Sequence, residues 1–99
     1  MTNIYELTCI YSKQKSFGGK AKIREEDNSK TLVSYNTDII KVSNGEIKSL
    51  YDGWTQTTGK HIKEFFKQFY DVDVNKKTFE KIQAGEITNI SKLRGETIS

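Results

Sequence analysis

At 99 residues the chain has room for one core, and with 34% apolar residues that core must lean on its 11% aromatic side chains, each of which takes a large ring out of water. Sixteen basic and thirteen acidic side chains leave a formal charge of +3, too little by itself to mark a polyanion binder. A single cysteine excludes an internal disulfide and a thiolate metal cluster, and no apolar run approaches the ~18 residues of a membrane span.

The first expected strand covers residues 4–12, with Tyr5, Leu7, Cys9 and Tyr11 on one face. Gly18-Gly19 marks a turn. A second strand over residues 19–25 points Ala21 and Ile23 inward and Lys20, Lys22 and Arg24 outward. The polar run Glu26-Asp27-Asn28-Ser29 marks the next turn. Residues 31–42 read as one longer strand region around Val33, Tyr35, Ile39, Ile40 and Val42, bent near Asn36-Thr37-Asp38. Asn44-Gly45 is the strongest local signal, because both residues tolerate the positive φ that a type I′ hairpin requires. Residues 46–51 should therefore return antiparallel to 38–43, and Asp52-Gly53 should end the sheet.

A helix is expected over residues 57–70, where Ile62, Phe65, Phe66, Phe69 and Tyr70 repeat at i, i+3, i+4, i+7 and i+8. Thr57 or Thr58 can cap it. After the linker Asp71 to Val74, a second helix over residues 75–84 places Phe79 and Ile82 inward, with Gly85 as its stop. Residues 86–99 offer only Ile87, Ile90 and Leu93 as anchors and read as a tail. The expected fold class is α+β, a single domain over residues 1–99. Residues 1–53 form a four-stranded antiparallel meander, packed on one face by two C-terminal helices.

The chemistry-bearing residues point to binding rather than catalysis. Gly53 to His61 looks like a phosphate loop, but it holds five residues between its glycines, where the motif needs four, and His61 follows Lys60 in place of Ser or Thr. The amides at the start of the main helix, with Thr57, Thr58 and Lys60, can still receive a phosphate or carboxylate, although simple capping accounts for the same residues. One histidine, His61, and one cysteine, Cys9, cannot furnish a usual zinc set. A nucleophilic pair of the two would need them adjacent in space. No metal, cofactor or catalytic residue is expected. Residues 1–24 carry Lys13, Lys15, Lys20, Lys22 and Arg24 against Glu6 alone, and the acidic turn Glu25, Glu26 and Asp27 follows. This basic segment is either a solvated strand face or a surface for an acidic partner. Tyr11 and Trp54, with the remaining tyrosines, can be core, a protein interface or a stacking platform for bases.

Three segments stand out as a set: Ser34-Tyr35-Asn36-Thr37, then Asn44-Gly45, then Thr57-Thr58-Gly59-Lys60-His61-Ile62-Lys63-Glu64-Phe65. The set resembles a family of small, mostly uncharacterised proteins of phages and mobile elements in Gram-positive bacteria, over about residues 31–70. Within it, Thr57 and Thr58 would cap the helix and His61 and Asn36 would hydrogen-bond across the strand–helix junction. The resemblance implies a non-catalytic protein that binds and inhibits a host protein, an anti-CRISPR acting on a CRISPR-Cas effector being one instance. The residues alone leave a DNA- or RNA-binding module as the alternative. The N-terminus shows neither the basic nor the apolar region of a signal peptide, so the expected location is the cytoplasm of a bacterial host, without membrane association. The sequon at Asn89-Ile90-Ser91 then reads as incidental.

Overall fold

The computed structural model describes residues 2–11 and 17–98, with side chains described as far as residue 95. Five strands, β1 (Asn3–Glu6), β2 (Ala21–Glu26), β3 (Ser29–Ser34), β4 (Thr37–Ser43) and β5 (Glu46–Ser49), precede three helices, α1 (Gln56–Tyr70), α2 (Lys76–Gln83) and α3 (Ile90–Ile98). The strands pair in sequence order as one antiparallel meander.

The sheet has five strands rather than four because residues 31–42 do not run as one strand. Tyr35 and Asn36 both take left-handed backbone conformations, with φ of 51° and 69°, and this two-residue turn folds the segment into β3 and β4. A tyrosine at positive φ is uncommon, so nothing in its own propensity announces a turn. The Asn44-Gly45 turn behaves as its sequence requires, with φ of 51° and 83°. A bulge then shifts the register between β3 and β4 from Leu32↔Ile40 to Val33↔Asp38. The extra residue, Ile39, breaks the alternation, which lets the consecutive Ile39 and Ile40 both be buried.

The expected first strand is also shorter than residues 4–12. After Glu6, only the bond from Leu7 N–H to Ala21 C=O continues the pairing (2.9 Å). Residues 8–11 then leave the sheet to run beside α1, where Ile10 and Tyr11 donate their amides to the Glu64 carboxylate at 3.0 Å each.

α1 is capped two to three residues earlier than expected. Its cap is Thr55, whose hydroxyl accepts from Thr58 N–H at 3.0 Å, so Thr57 and Thr58 lie inside the first turn. The helix seats Ile62, Phe65 and Phe66, all at 0% exposure, on the sheet, where they meet Ile23, Leu32 and Ile40 in one core. It ends at Asp71 in a left-handed C-cap. The Asp71 to Val74 link is not a passive spacer, since Val72 and Val74 are both buried in that core. α2 is capped by Asn75, which accepts from Thr78 N–H at 2.8 Å, and stops at Gly85 with φ of 81°.

The segment read as a tail contains the third helix. Ile87, Ile90 and Leu93 are buried as anchors, and the Asn89 side chain accepts from Lys92 N–H at 2.8 Å as a helix cap. Ahead of α3, Ile47 N–H bonds Thr88 C=O and Ile90 N–H bonds Gly45 C=O, both at 2.8 Å. These bonds cover the β5 edge of the sheet. No helix among the described residues is long and apolar enough to cross a membrane.

One glycine is demanded by packing rather than by dihedral angle. A Cβ at Gly59 would lie 2.6 Å from the Trp54 ring, and that ring is held against Phe79 at 5.6 Å between centroids. Gly59→Ala is expected to destabilise the fold by about 1–3 kcal/mol despite its better helix propensity, read as a lower urea midpoint in equilibrium unfolding.

Candidate functional site

Of the residues expected to form a basic hairpin, the described Lys20, Lys22 and Arg24 do not converge on one surface. Lys13 and Lys15 lie outside the described residues. Arg24 is tied by its guanidinium to Asp38, with its shortest contact 2.7 Å, and to Glu26 at 3.5 Å. Asp38 stands on β4, two strands away from β2, so the Arg24 side chain reaches across β3 over the open face of the sheet. Lys22 projects to that same face opposite Glu6. The acidic turn is likewise occupied locally. Glu25 accepts from Tyr5 O–H at 2.6 Å, and burial together with that bond raises the Tyr5 pKa. Trp54 is not an exposed platform but a half-buried wall of the core, packed on Phe79 and Gly59.

What the fold assembles instead lies along α1. The stripe that buries Ile62, Phe65 and Phe66 necessarily turns Lys60, Lys63 and Lys67 outward, at spacings of three and four that stack them on one side. They line a cavity of about 400 Å³ together with Tyr11 and Asp73. A second cavity of about 340 Å³ opens at the start of the helix, lined by Lys20, Tyr35, Thr57, Lys60 and His61, with Phe17 and Gly18 closing it. Lys60 lines both, so the two cavities adjoin along α1. In the first, Glu64 and Asp73 stand among the lysines, and Lys67 pairs with Asp73 at 3.7 Å and with Asp71 at 3.5 Å. Tyr11 and Tyr35 are 59% and 51% exposed, and each has an ammonium over its ring. Lys67 stands 5.8 Å from the Tyr11 centroid and Lys20 stands 5.6 Å from that of Tyr35.

The floor of the second cavity is His61, 1% exposed. Its Nδ1 lies 2.8 Å from Ser34 Oγ, so the junction bond expected with Asn36 is made with Ser34. Asn36 serves the turn. The imidazole is braced edge-on by Phe17 at 4.6 Å and lies 6.1 Å from Tyr35. Burial lowers the His61 pKa, and the nearby Lys20 charge lowers it further, so the ring is neutral near pH 7. Cys9 sits in a different environment, where burial and then the charges of Glu64 and Glu6 raise its pKa. No group of three or more His, Cys, Asp or Glu side chains suited to a metal ion occurs among the described residues.

Sequence reasoning missed Ser34, Lys63, Lys67 and the buried Glu64. The i, i+3, i+7 spacing of Lys60, Lys63 and Lys67 was the available signal, outweighed by the denser basic run at the N-terminus. Nothing local marks Glu64, because its amide partners lie more than fifty residues earlier.

A sequence model for a family of unknown function (DUF8033) matches residues 5–81. The chain belongs to that family. The match spans all five strands but for the first residues of β1, and takes in α1 with both cavities and most of α2. No curated protein and no solved structure matches the chain.

The neutral, buried His61 has a consequence for stability. Its pKa is below the ordinary value when folded, so the unfolded chain takes up the proton first as pH falls. The contribution from keeping this ring neutral is intact above about pH 6.5 and declines below it. Urea unfolding at pH 7.5 and 5.5 should show the loss. Proton NMR of the single imidazole should place its titration below that of a free histidine, with Lys20, Lys60, Ser34, Tyr35 and Phe17 as its surroundings.

Proposed function

We propose that the chain is a non-catalytic binding protein whose groove along α1 takes single-stranded nucleic acid. The observation that carries this reading is the pairing of an exposed tyrosine with a lysine at each end of a lysine-lined groove. Bases stack on aromatic faces without regard to sequence, while ammonium groups follow the phosphates between them. Lys60 and Lys63 form no ion pair among the described residues, so neither has to give up a carboxylate to meet a phosphate. Tyr35 adds a second argument. Its left-handed backbone would suit Asn or Gly with less strain, and a ring retained at such a cost is consistent with a ring in use.

A protein partner is the second reading, and one feature favours it. β1 is an edge strand whose four residues are all exposed, with Ile4 and Ile10 each 63% exposed. The opposite edge is covered by residues 88–90. An open edge beside apolar side chains suits addition of a partner strand, the mode by which a small protein of a mobile element would bind and inhibit a host protein.

Fluorescence anisotropy with a mixed-sequence single-stranded oligonucleotide over a salt series decides between them. Affinity should fall linearly with log salt, and the Lys60→Gln, Lys63→Gln double variant should flatten the slope by roughly 1.4. Tyr35→Asn should weaken binding by about tenfold through lost stacking, while leaving the urea midpoint unchanged or raised. No binding at low salt, with a stoichiometric host protein recovered from nuclease-treated lysate, would transfer the function to the β1 edge.

A further inference from the structure

We propose that the cavity at the start of α1 is a discrete site for one phosphate-class oxyanion. This deepens the nucleic-acid reading and rests on it for the source of the phosphate, although the site can be tested alone. The side chains that line the cavity include no carboxylate. Two ammonium groups reach it from separate parts of the chain, Lys20 from the turn before β2 and Lys60 from the first turns of α1. Neither forms an ion pair among the described residues. Thr57 lines the same cavity.

The helix start contributes its own donors. Thr55 Oγ1 takes the amide of Thr58, and Gly59 N–H bonds Thr55 C=O. The Gln56 and Thr57 amides have no partner among the described residues, and the positive end of a 15-residue helix favours an anion beside them.

His61 is the observation that makes this more than a helix end. It is 99% buried (1% exposed) and lines the cavity. One ring nitrogen, Nδ1, is held by Ser34, while Nε2 has no partner among the described residues. We take the Ser34 hydroxyl to donate to Nδ1, the tautomer that puts the ring proton on Nε2 and lets the ring offer the cavity a neutral donor. A neutral donor set between two cations suits an oxyanion with acceptors on several sides, and it suits a cation not at all. The cavity is also larger than a bare phosphate and opens beside Tyr35, where the base attached to that phosphate would stack.

The test is an NMR titration of the intact chain with inorganic phosphate at constant ionic strength. The expected result is a saturable shift of the His61 imidazole and of the Gln56 and Thr57 amides. Lys20→Gln should weaken phosphate binding by about tenfold, the loss expected for one charge-assisted hydrogen bond. Lys22→Gln, on the opposite face of the sheet, should leave it unchanged. Shifts that are absent, that grow without saturating, or that are equal in the wild type and Lys20→Gln would overturn the site. Saturable phosphate binding in a protein that ignores oligonucleotides would uphold the site and remove the nucleic-acid reading. Oligonucleotide binding untouched by Lys20→Gln, with no phosphate shift, would do the reverse.

Discussion

The seating of one aromatic helix stripe on one face of a meander governs the rest of the molecule. A five-stranded antiparallel sheet with a single apolar face has to cover that face, and Phe65 and Phe66 are wholly inside the cover. Once Ile62 and the phenylalanines point down, the rotation of α1 is no longer adjustable. His61 is then delivered onto Ser34 of β3, and Lys60, Lys63 and Lys67 are delivered to the outside. Glu64, on the flank of the same helix, is buried where it can fix the amides of Ile10 and Tyr11. That bond places Tyr11 on the rim of the groove. The candidate site is thus a by-product of core packing.

Charge is partitioned between the two sides of the sheet. On the open face, Arg24 is engaged by Asp38 and Glu26, and Lys22 faces Glu6 across the strand pair. The reach of Arg24 across β3 coincides with burial of Thr31, its register partner, whose Oγ1 lacks a hydrogen-bond partner. On the helix side Lys20, Lys60 and Lys63 stand without such partners. A net charge of +3 therefore understates the local field at the start of α1, where no carboxylate lines the cavity, whereas further along the helix Lys67 is paired with Asp71 and Asp73.

Tyr35 joins the fold and the site. It is a turn residue in a conformation that costs a tyrosine of the order of 1 kcal/mol, and the turn it makes is the one that splits β3 from β4. The same turn holds its ring over the cavity that His61 floors. Backbone strain and an exposed ring coincide at the position where a stacking surface would be wanted, while Asn44-Gly45, another left-handed pair, carries no such side chain and lies away from the groove.

Much of this was legible in the sequence. The helix stripe, the Asn44-Gly45 hairpin, the inward Ala21 and Ile23 and the Gly85 stop all follow from periodicity and local backbone preference, which depend on neighbours a few residues apart. The anchors Ile87, Ile90 and Leu93 were visible too, but not the helix they hold, because its stability comes from packing and from the Asn89 cap rather than from a strong stripe of its own. The β3–β4 turn was hidden by a tyrosine whose propensity argues for a strand, and the cap moved to Thr55 because three threonines in four residues offer equivalent hydroxyls. Which lysines matter was a tertiary question. Lys20, Lys22 and Arg24 are equivalent in a count of charge, and only the folded chain sends Lys20 to His61 and Arg24 to Asp38. The sequence by itself determined the elements and the faces they bury, since those are set by short-range spacing. Only the tertiary structure decided which charges are neutralised and which converge, since each such pairing joins residues that the chain keeps far apart.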